Sequence, residues 1–191
     1  AGRNHTINTS HQSVIGGHTN KDTTGTNNAI FGESQDVATS SNVIVSGSTN
    51  DIDNVENSLT IGRSNTVNGA GETIVSGVSH NVSSGENNII SGDNCSVTNS
   101  NSSLITGVNN TILNSNKSFV SGQAIQETTG TNNALIGESL ISSSNINSVL
   151  GGKSNNISGS KEIIVGGEGN TITTTNHSVV AGLNNKDYKG D

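Results

Sequence analysis

Apolar and polar residues alternate along the chain in a pattern that repeats every fifteen residues. Thirteen glycines mark the repeat without a slip, so each residue can be numbered by its distance from the preceding one of these glycines, which is position 0. The glycines are Gly2, Gly17, Gly32, Gly47, Gly62, Gly77, Gly92, Gly107, Gly122, Gly137, Gly152, Gly167 and Gly182. Self-similarity at a short fixed period is the signature of a solenoid, in which like residues stack on like.

Apolar residues recur at three positions of the repeat. Position 12 is always apolar and position 13 is aliphatic except at Thr60. Position 5 is Ile or Val in most repeats and is broken at Asp22, Glu127, Ser142 and Asp187. Two short β-branched segments separated by Gly, Ser and Asn are typical of two strands joined by tight corners, and Gly and Asn are poor helix formers. The sequence therefore predicts an all-β parallel β-solenoid, or β-roll, of about thirteen 15-residue coils, with residues 1–191 forming a single domain.

The composition indicates that the chain is ordered and that its order comes from a repeat architecture. Only 28% of the residues are hydrophobic and 2% aromatic, which is too little for an ordinary globular core. Disordered chains are usually rich in charge and proline, whereas this chain is 12% charged and has no proline. Cys95 is the only cysteine, so no disulfide can form within the chain.

Asparagine recurs at two corners of the predicted coil. An inward amide can bond the backbone and the amides of adjacent coils, so we expect both sets to form structural ladders. At position 3 the asparagines are Asn20, Asn50, Asn65, Asn110, Asn155, Asn170 and Asn185, and at position 10 they are Asn27, Asn42, Asn57, Asn87, Asn132 and Asn147.

A longer repeat overlies the coil period. Residues 22–34 and 127–139 are nearly identical and lie 105 residues apart, which is seven coils. Both copies begin with an acidic residue, Asp22 or Glu127, at a position that is otherwise apolar. The correspondence predicts duplication of a seven-coil block, with a bulged corner in each copy.

One segment of every repeat, positions 11 to 15, lacks all 23 charged residues of the chain. Successive side chains of a strand point to opposite faces, so if position 12 lies in the core, position 13 forms an outward aliphatic row. Such a row is larger than monomers normally expose and predicts that something covers it. The alternative is a bulge that places both aliphatic residues inside. The expected association face, including a hydroxyl row at position 11, consists of Ile15, Ile30, Val45, Thr60, Val75, Ile90, Ile105, Val120, Leu135, Leu150, Val165, Val180, Ser58, Thr73, Ser103, Ser118, Ser148 and Ser178.

Several function classes lack their usual residues. A net charge of −7 and scattered Lys and Arg residues argue against nucleic-acid binding. No apolar stretch is long enough to predict membrane insertion, and the five histidines are too dispersed to predict a metal site. No nucleophile, base or acid cluster is recognisable, so we expect no cofactor and no catalytic residue; a solenoid enzyme such as a polysaccharide lyase is the least favoured class.

Two coil segments resemble a known family. Asn42-Val-Ile-Val-Ser-Gly47 and Asn87-Asn-Ile-Ile-Ser-Gly-Asp93 are similar to the coil consensus of the grass ice-recrystallisation-inhibition and ice-binding proteins. That resemblance implies a left-handed β-roll with internal Asn ladders and an ice surface as the partner.

Two other segments resemble fibre proteins. Asn57-Ser-Leu-Thr-Ile-Gly62 and Asn147-Ser-Val-Leu-Gly-Gly152 are similar to the head repeats of trimeric autotransporter adhesins and to β-roll segments of phage and viral fibres. This resemblance implies a homotrimer packed along an apolar seam, located outside the cell on a cell or virion surface. We therefore expect a non-enzymatic adhesive or structural fibre module that associates with itself and can contact a host surface, with ice binding by the same face as the alternative.

Overall fold

A computed structural model describes residues 2–144, 146–153, 156–159, 161, 164–173 and 176–188. Within these residues every regular element is a β-strand, and every strand pairs in parallel with the equivalent strand of an adjacent coil. The predicted all-β parallel β-solenoid is confirmed, and its roughly eleven turns of about fifteen residues approximate the predicted coil number. The chain divides into two compact units, Ala1–Asn94 and Cys95–Asp191, which are described separately. The prediction of a single domain stays a prediction.

Unit 1 contains a long-strand sheet and a short-strand sheet. The long strands are Gly2–Arg3, Val14–His18, Ala29–Glu33, Ile44–Ser48, Leu59–Arg63, Ile74–Val78 and Ile89–Asp93. The short strands are Thr6–Asn8, Lys21–Thr23, Asp36–Ala38, Asp51–Asp53, Thr66–Asn68 and Asn81–Ser83. Within the unit, neighbouring strands pair at a spacing of fifteen residues, for example Val75 with Ile90.

Unit 2 repeats this arrangement. The long strands are Leu104–Val108, Phe119–Gln123, Ala134–Glu138, Val149–Lys153, Ile164–Val165 and Val179–Val180. The short strands are Ser96–Thr98, Thr111–Leu113, Gln126–Thr128, Ile141–Ser143, Asn156–Ser158, Thr171–Thr173 and Lys186–Asp187. Both units also have a third line of backbone pairing, made of single-residue bridges at position 9 such as His11 with Thr26. Each coil therefore pairs with its neighbour at one more place than the two predicted strands.

The repeated glycine is required by the backbone. Gly17 has φ +109, a conformation that side-chain-bearing residues rarely adopt, and a Cβ there would overlap the carbonyl oxygen of Gly32 in the next coil. The glycine therefore lets the chain turn while adjacent coils remain within hydrogen-bonding distance.

The predicted bulged corner in the two duplicated segments is wrong. Asp22 pairs in register with Ile7 and Val37, and Glu127 pairs in register with Ile112 and Ser142. Glycine at position 8, Gly25 or Gly130, provides the room instead, since a Cβ at either glycine would overlap the acidic side chain and the amide beside it.

The predicted outward placement of positions 11 and 13 is also wrong. Position 13 lies in the core, with relative exposures of 0–2% at Ile30, Val45, Thr60, Val75, Ile90, Ile105, Val120 and Leu135. Ile15 and Val180 are half-buried, and the side chains of Leu150 and Val165 lie outside the described part. The expected hydroxyl row is buried as well, at Ser58, Thr73, Ser103, Ser118, Ser148 and Ser178.

The strand pleat explains this placement. Positions 11, 13 and 15 share one side of the strand, and position 15 is the glycine that packs against the next coil. The side chain at position 11 then faces inward, where Ser58 Oγ accepts a hydrogen bond of 3.1 Å from Thr73 N. Positions 12 and 14 must therefore point outward. The prediction that position 12 lies in the core and position 13 points outward is wrong, and so is the alternative of a bulge that places both inside.

Candidate association surface

The outward side of the long-strand sheet carries an apolar row at position 12. In unit 1 its exposed members are Val14, Ile44, Ile74 and Ile89, and in unit 2 they are Leu104, Phe119, Val149, Ile164 and Val179. Their relative exposures run from 36% at Leu104 to 76% at Val179. Ala29, Leu59 and Ala134 complete the row in a half-buried state. An outward aliphatic row therefore exists, one residue earlier in each coil than predicted.

A second row, at position 14, lies beside the first on the same surface. Most of its members are small: Gly16, Ser46, Ser76, Ser91, Thr106, Ser121, Gly151, Gly166 and Ala181. The large members are Phe31, Ile61 and Ile136, which are 43–47% exposed. We call positions 12 and 14 of each unit the long-strand face; it contains no charged residue.

The outward side of the short-strand sheet differs chemically. Positions 4 and 6 carry mostly polar residues, including Lys21 and Asp36, whose Nζ and Oδ2 atoms lie 3.0 Å apart. Partial burial, reinforced by the nearby carboxylates of Asp36 and Asp53, raises the pKa of Asp51. Even so, no three His, Cys, Asp or Glu side chains of the described residues are arranged to hold a metal ion.

Exposed amides border the long-strand face at position 10. Asn27 Nδ2 donates to Asn42 Oδ1 at 3.0 Å, and Asn42 repeats the bond to Asn57. In unit 2, Asn132 donates to Asn147 at 3.0 Å. These asparagines form ladders as expected, but they point outward, because φ of +53 to +60° at this corner turns them away from the core.

The position 3 asparagines form the inward ladder that the sequence predicts. Asn20, Asn50, Asn65, Asn110 and Asn170 are buried, Asn185 is half-buried, and Asn155 lies outside the described residues. Asn20 Nδ2 donates to the Gly16 and Gly32 carbonyls at 2.7 and 3.1 Å, and its Oδ1 accepts from Gln35 N at 3.0 Å. These amides therefore satisfy backbone groups at the glycine corner and hold the long-strand face in place.

The face of unit 2 has a depression where position 12 is alanine. An open surface cavity of about 550 Å³ runs along the position 12 row from Leu104 to Val149, and the small Ala134 lies in its lining, with Lys117 and Asn132 at position 10 beside it. Pattern reasoning missed this feature because it grouped all apolar residues together; their sizes along the row would have indicated it.

Comparisons with known proteins assign no family to this chain. No family model and no curated protein matches it. A solved structure described as the polySia-specific acetyltransferase NeuO is similar over 94% of this chain and 78% of its own length, at 15% identity and a TM-score of 0.17. A likeness that slight carries no argument about fold or activity. Among the described residues, no helix has the length and hydrophobicity needed to cross a bilayer.

Proposed function

We propose that the chain is a non-enzymatic structural or adhesive module of an extracellular fibre, on a cell or virion surface, that self-associates through the long-strand face. The observation that carries the proposal is the exposed position 12 row of each unit, from Val14 to Ile89 in unit 1 and from Leu104 to Val179 in unit 2. Contiguous apolar surface of this kind is costly to leave in water and marks sites of association.

The size of the face suits a protein interface. With position 16 included, the six five-residue strands of unit 1 cover about 480 Å² and the four of unit 2 cover about 320 Å², taking about 3.3 Å per residue and about 4.8 Å between strands. Standard interfaces bury about 800 Å² on each partner. Covering this face would therefore suffice for a stable complex.

The charge distribution favours a second copy as the partner. The chain carries a net charge of −7, all of it outside the long-strand face. Two copies that meet through positions 12 and 14 keep their like charges at the periphery, including those of Glu33, Arg63, Asp93, Glu138 and Lys153 at position 16 beside the face. We propose a homo-oligomer, with a trimer favoured by the resemblance to fibre families, whose polar sides remain free to contact a host surface.

Paired substitutions in unit 2 test the proposal. Replacing Leu104 and Val149 by Lys places charges on the long-strand face, whereas replacing Leu113 and Ile141 by Lys changes similarly exposed aliphatic residues on the short-strand side. In analytical ultracentrifugation, the first variant should have a dissociation constant raised at least about a hundredfold, and the second should match the wild type. A wild-type protein that stays monomeric at high concentration would contradict the proposal.

Ice binding is the second candidate, for which the uncharged, flat face is the supporting observation. The hydroxyl row that motivated it is buried, and the outward position 14 row mixes Ser46 and Ser76 with Phe31 and Ile61. Thermal hysteresis and ice-recrystallisation assays on the wild type and the Leu104→Lys, Val149→Lys variant would decide it. Inhibition of ice growth that the variant loses would favour this candidate.

A further inference from the structure

We propose that the copies associate in parallel and in register, with the large residues Phe31 and Ile136 of one copy filling the notches at Ala29 and Ala134 of its neighbour. This inference rests on the proposed self-association and adds the orientation, the register and the residues that set them. Each unit carries one alanine notch, and in each unit a large position 14 residue, Phe31 or Ile136, belongs to the same coil as the alanine; unit 1 has a further large residue, Ile61, in another coil.

The two rows of the face compensate each other in size. Where position 12 is large, position 14 is Gly, Ala, Ser or Thr in every complete coil but that of Leu59, as in Ile44 with Ser46 and Phe119 with Ser121. Where position 12 is alanine, at Ala29 and Ala134, position 14 is Phe31 and Ile136. Eleven of the twelve complete coils thus place one large apolar residue on the face; the coil of Leu59 and Ile61 places two.

Such compensation has a geometric consequence for facing copies. Rotation about an axis parallel to the stacking direction places position 12 of one copy opposite position 14 of the next, at the same coil level. An antiparallel two-fold axis instead places position 12 opposite position 12 and reverses the order of coils. Only the parallel, in-register arrangement therefore sets a large residue of one copy against a small residue of the other at each facing pair outside the coil of Leu59 and Ile61; the antiparallel arrangement sets large against large at position 12.

The notch itself is an open site for a side chain. The depression of about 550 Å³ runs from Leu104 to Val149 and includes Ala134, and the exposed Ile136 lies on the same face of the same strand as this alanine. In the parallel arrangement the neighbour's copy of this isoleucine faces the alanine. The same relation holds between Ala29 and the 43%-exposed Phe31 in unit 1.

Cysteine cross-linking tests the orientation. Leu104→Cys and Val149→Cys are prepared as separate variants, three coils apart in unit 2, and treated with a short bismaleimide that bridges sheets about 10 Å apart. The parallel arrangement predicts that each variant alone forms cross-linked dimers. It also predicts that a co-refolded mixture of the two variants forms no more cross-linked heterodimers than homodimers. Preferential heterodimers, or cross-linking at only one position, would overturn it. Native Cys95 is buried, and the wild type provides the background.

A size exchange tests the notch. Ala134→Leu should raise the dissociation constant at least about tenfold by overfilling the interface, and adding Ile136→Ala should restore it to within about threefold. Leucine already occupies position 12 at Leu104, so the single variant is expected to fold, which circular dichroism checks. If the double variant has a dissociation constant no lower than that of the single variant while the wild type still associates, the proposed register alone would be overturned. A monomeric wild type would overturn the proposed function as well.

Discussion

At the scale of single residues, the two buried carboxyl groups are the least expected feature. Asp22 and Glu127 are fully buried at a core position, and an amide six residues later supports each one. Asn28 Nδ2 donates to Asp22 Oδ1 at 3.1 Å, and Asn133 Nδ2 donates to Glu127 Oε1 at 2.6 Å. Gly25 and Gly130 leave the space that these groups occupy. The two similar segments, residues 22–34 and 127–139, thus share the acid, the glycine and the asparagine, which bonds one oxygen of the buried carboxyl group.

Glu127 should make the stability depend on pH. Burial raises its pKa, although hydrogen bonds from Asn133 and Ser118 act in the opposite direction. The folded state therefore binds this proton more tightly than the unfolded state, so the contribution to stability is present at low pH and is lost as the pH rises from the ordinary towards the raised pKa. We expect Glu127→Gln, which is neutral at every pH, to remove this component of the decline in the free energy of unfolding as the pH rises above the ordinary glutamate pKa.

Chemical denaturation of the variant and the wild type across this pH range measures the effect. Glu138→Gln is the matched control, since this glutamate lies in the same duplicated segment but is exposed. A difference between Glu127→Gln and the wild type that stays constant with pH would contradict the prediction.

At the scale of elements, the inward Asn ladder connects one coil to the next. Asn65 Nδ2 donates to the Gly77 carbonyl at 3.0 Å, while its Oδ1 accepts from His80 N at 3.0 Å. Asn65→Ala removes the partners of both buried backbone groups, which should lower the free energy of unfolding by about 2–4 kcal/mol. Chemical denaturation measures this loss.

Two comparisons make the ladder prediction specific. Asn65→Gln should cost less than Asn65→Ala, because Gln35 at the same position of the coil accepts the equivalent bond from Asn50 N at 3.0 Å and donates to a backbone carbonyl, Phe31 O, at 3.3 Å. Asn57→Ala, in the exposed ladder, should change the free energy of unfolding by less than about 1 kcal/mol. Equal losses in the free energy of unfolding for Asn65→Ala and Asn57→Ala would show that burial does not determine how much a ladder asparagine stabilises the protein.

The elements were predictable because the glycine period fixes which residues stack, and Gly17 and its equivalents occupy one corner of every coil. The side of the long strand that faces the core was not predictable, since positions 12 and 13 are both apolar. Hydrophobicity alone cannot choose between Ile44 and Val45 as the core residue. The glycine determines the choice, because Val45 shares its side of the strand and Ile44 does not. The depression at Ala134 depends on side-chain volume, which a hydrophobic pattern does not record.

At the scale of the whole molecule, the separation of charge from the long-strand face predicts how association responds to salt. The net charge of −7 makes copies repel one another, and added salt screens that repulsion. The proposed contact contains no ion pair that salt could weaken. Raising the ionic strength from about 0.05 M to about 0.5 M should therefore lower the dissociation constant or leave it unchanged, as sedimentation equilibrium would measure.

Contacts through the short-strand side would give the opposite result. That side carries the exposed Lys21–Asp36 ion pair with Asp51 and Asp53 beside it, and an interface built on such groups weakens as salt screens them. A dissociation constant that rises steeply with ionic strength would therefore place the contact on the charged side. The Leu104→Lys, Val149→Lys variant separates the two cases, because charges on the long-strand face disrupt only an interface formed there.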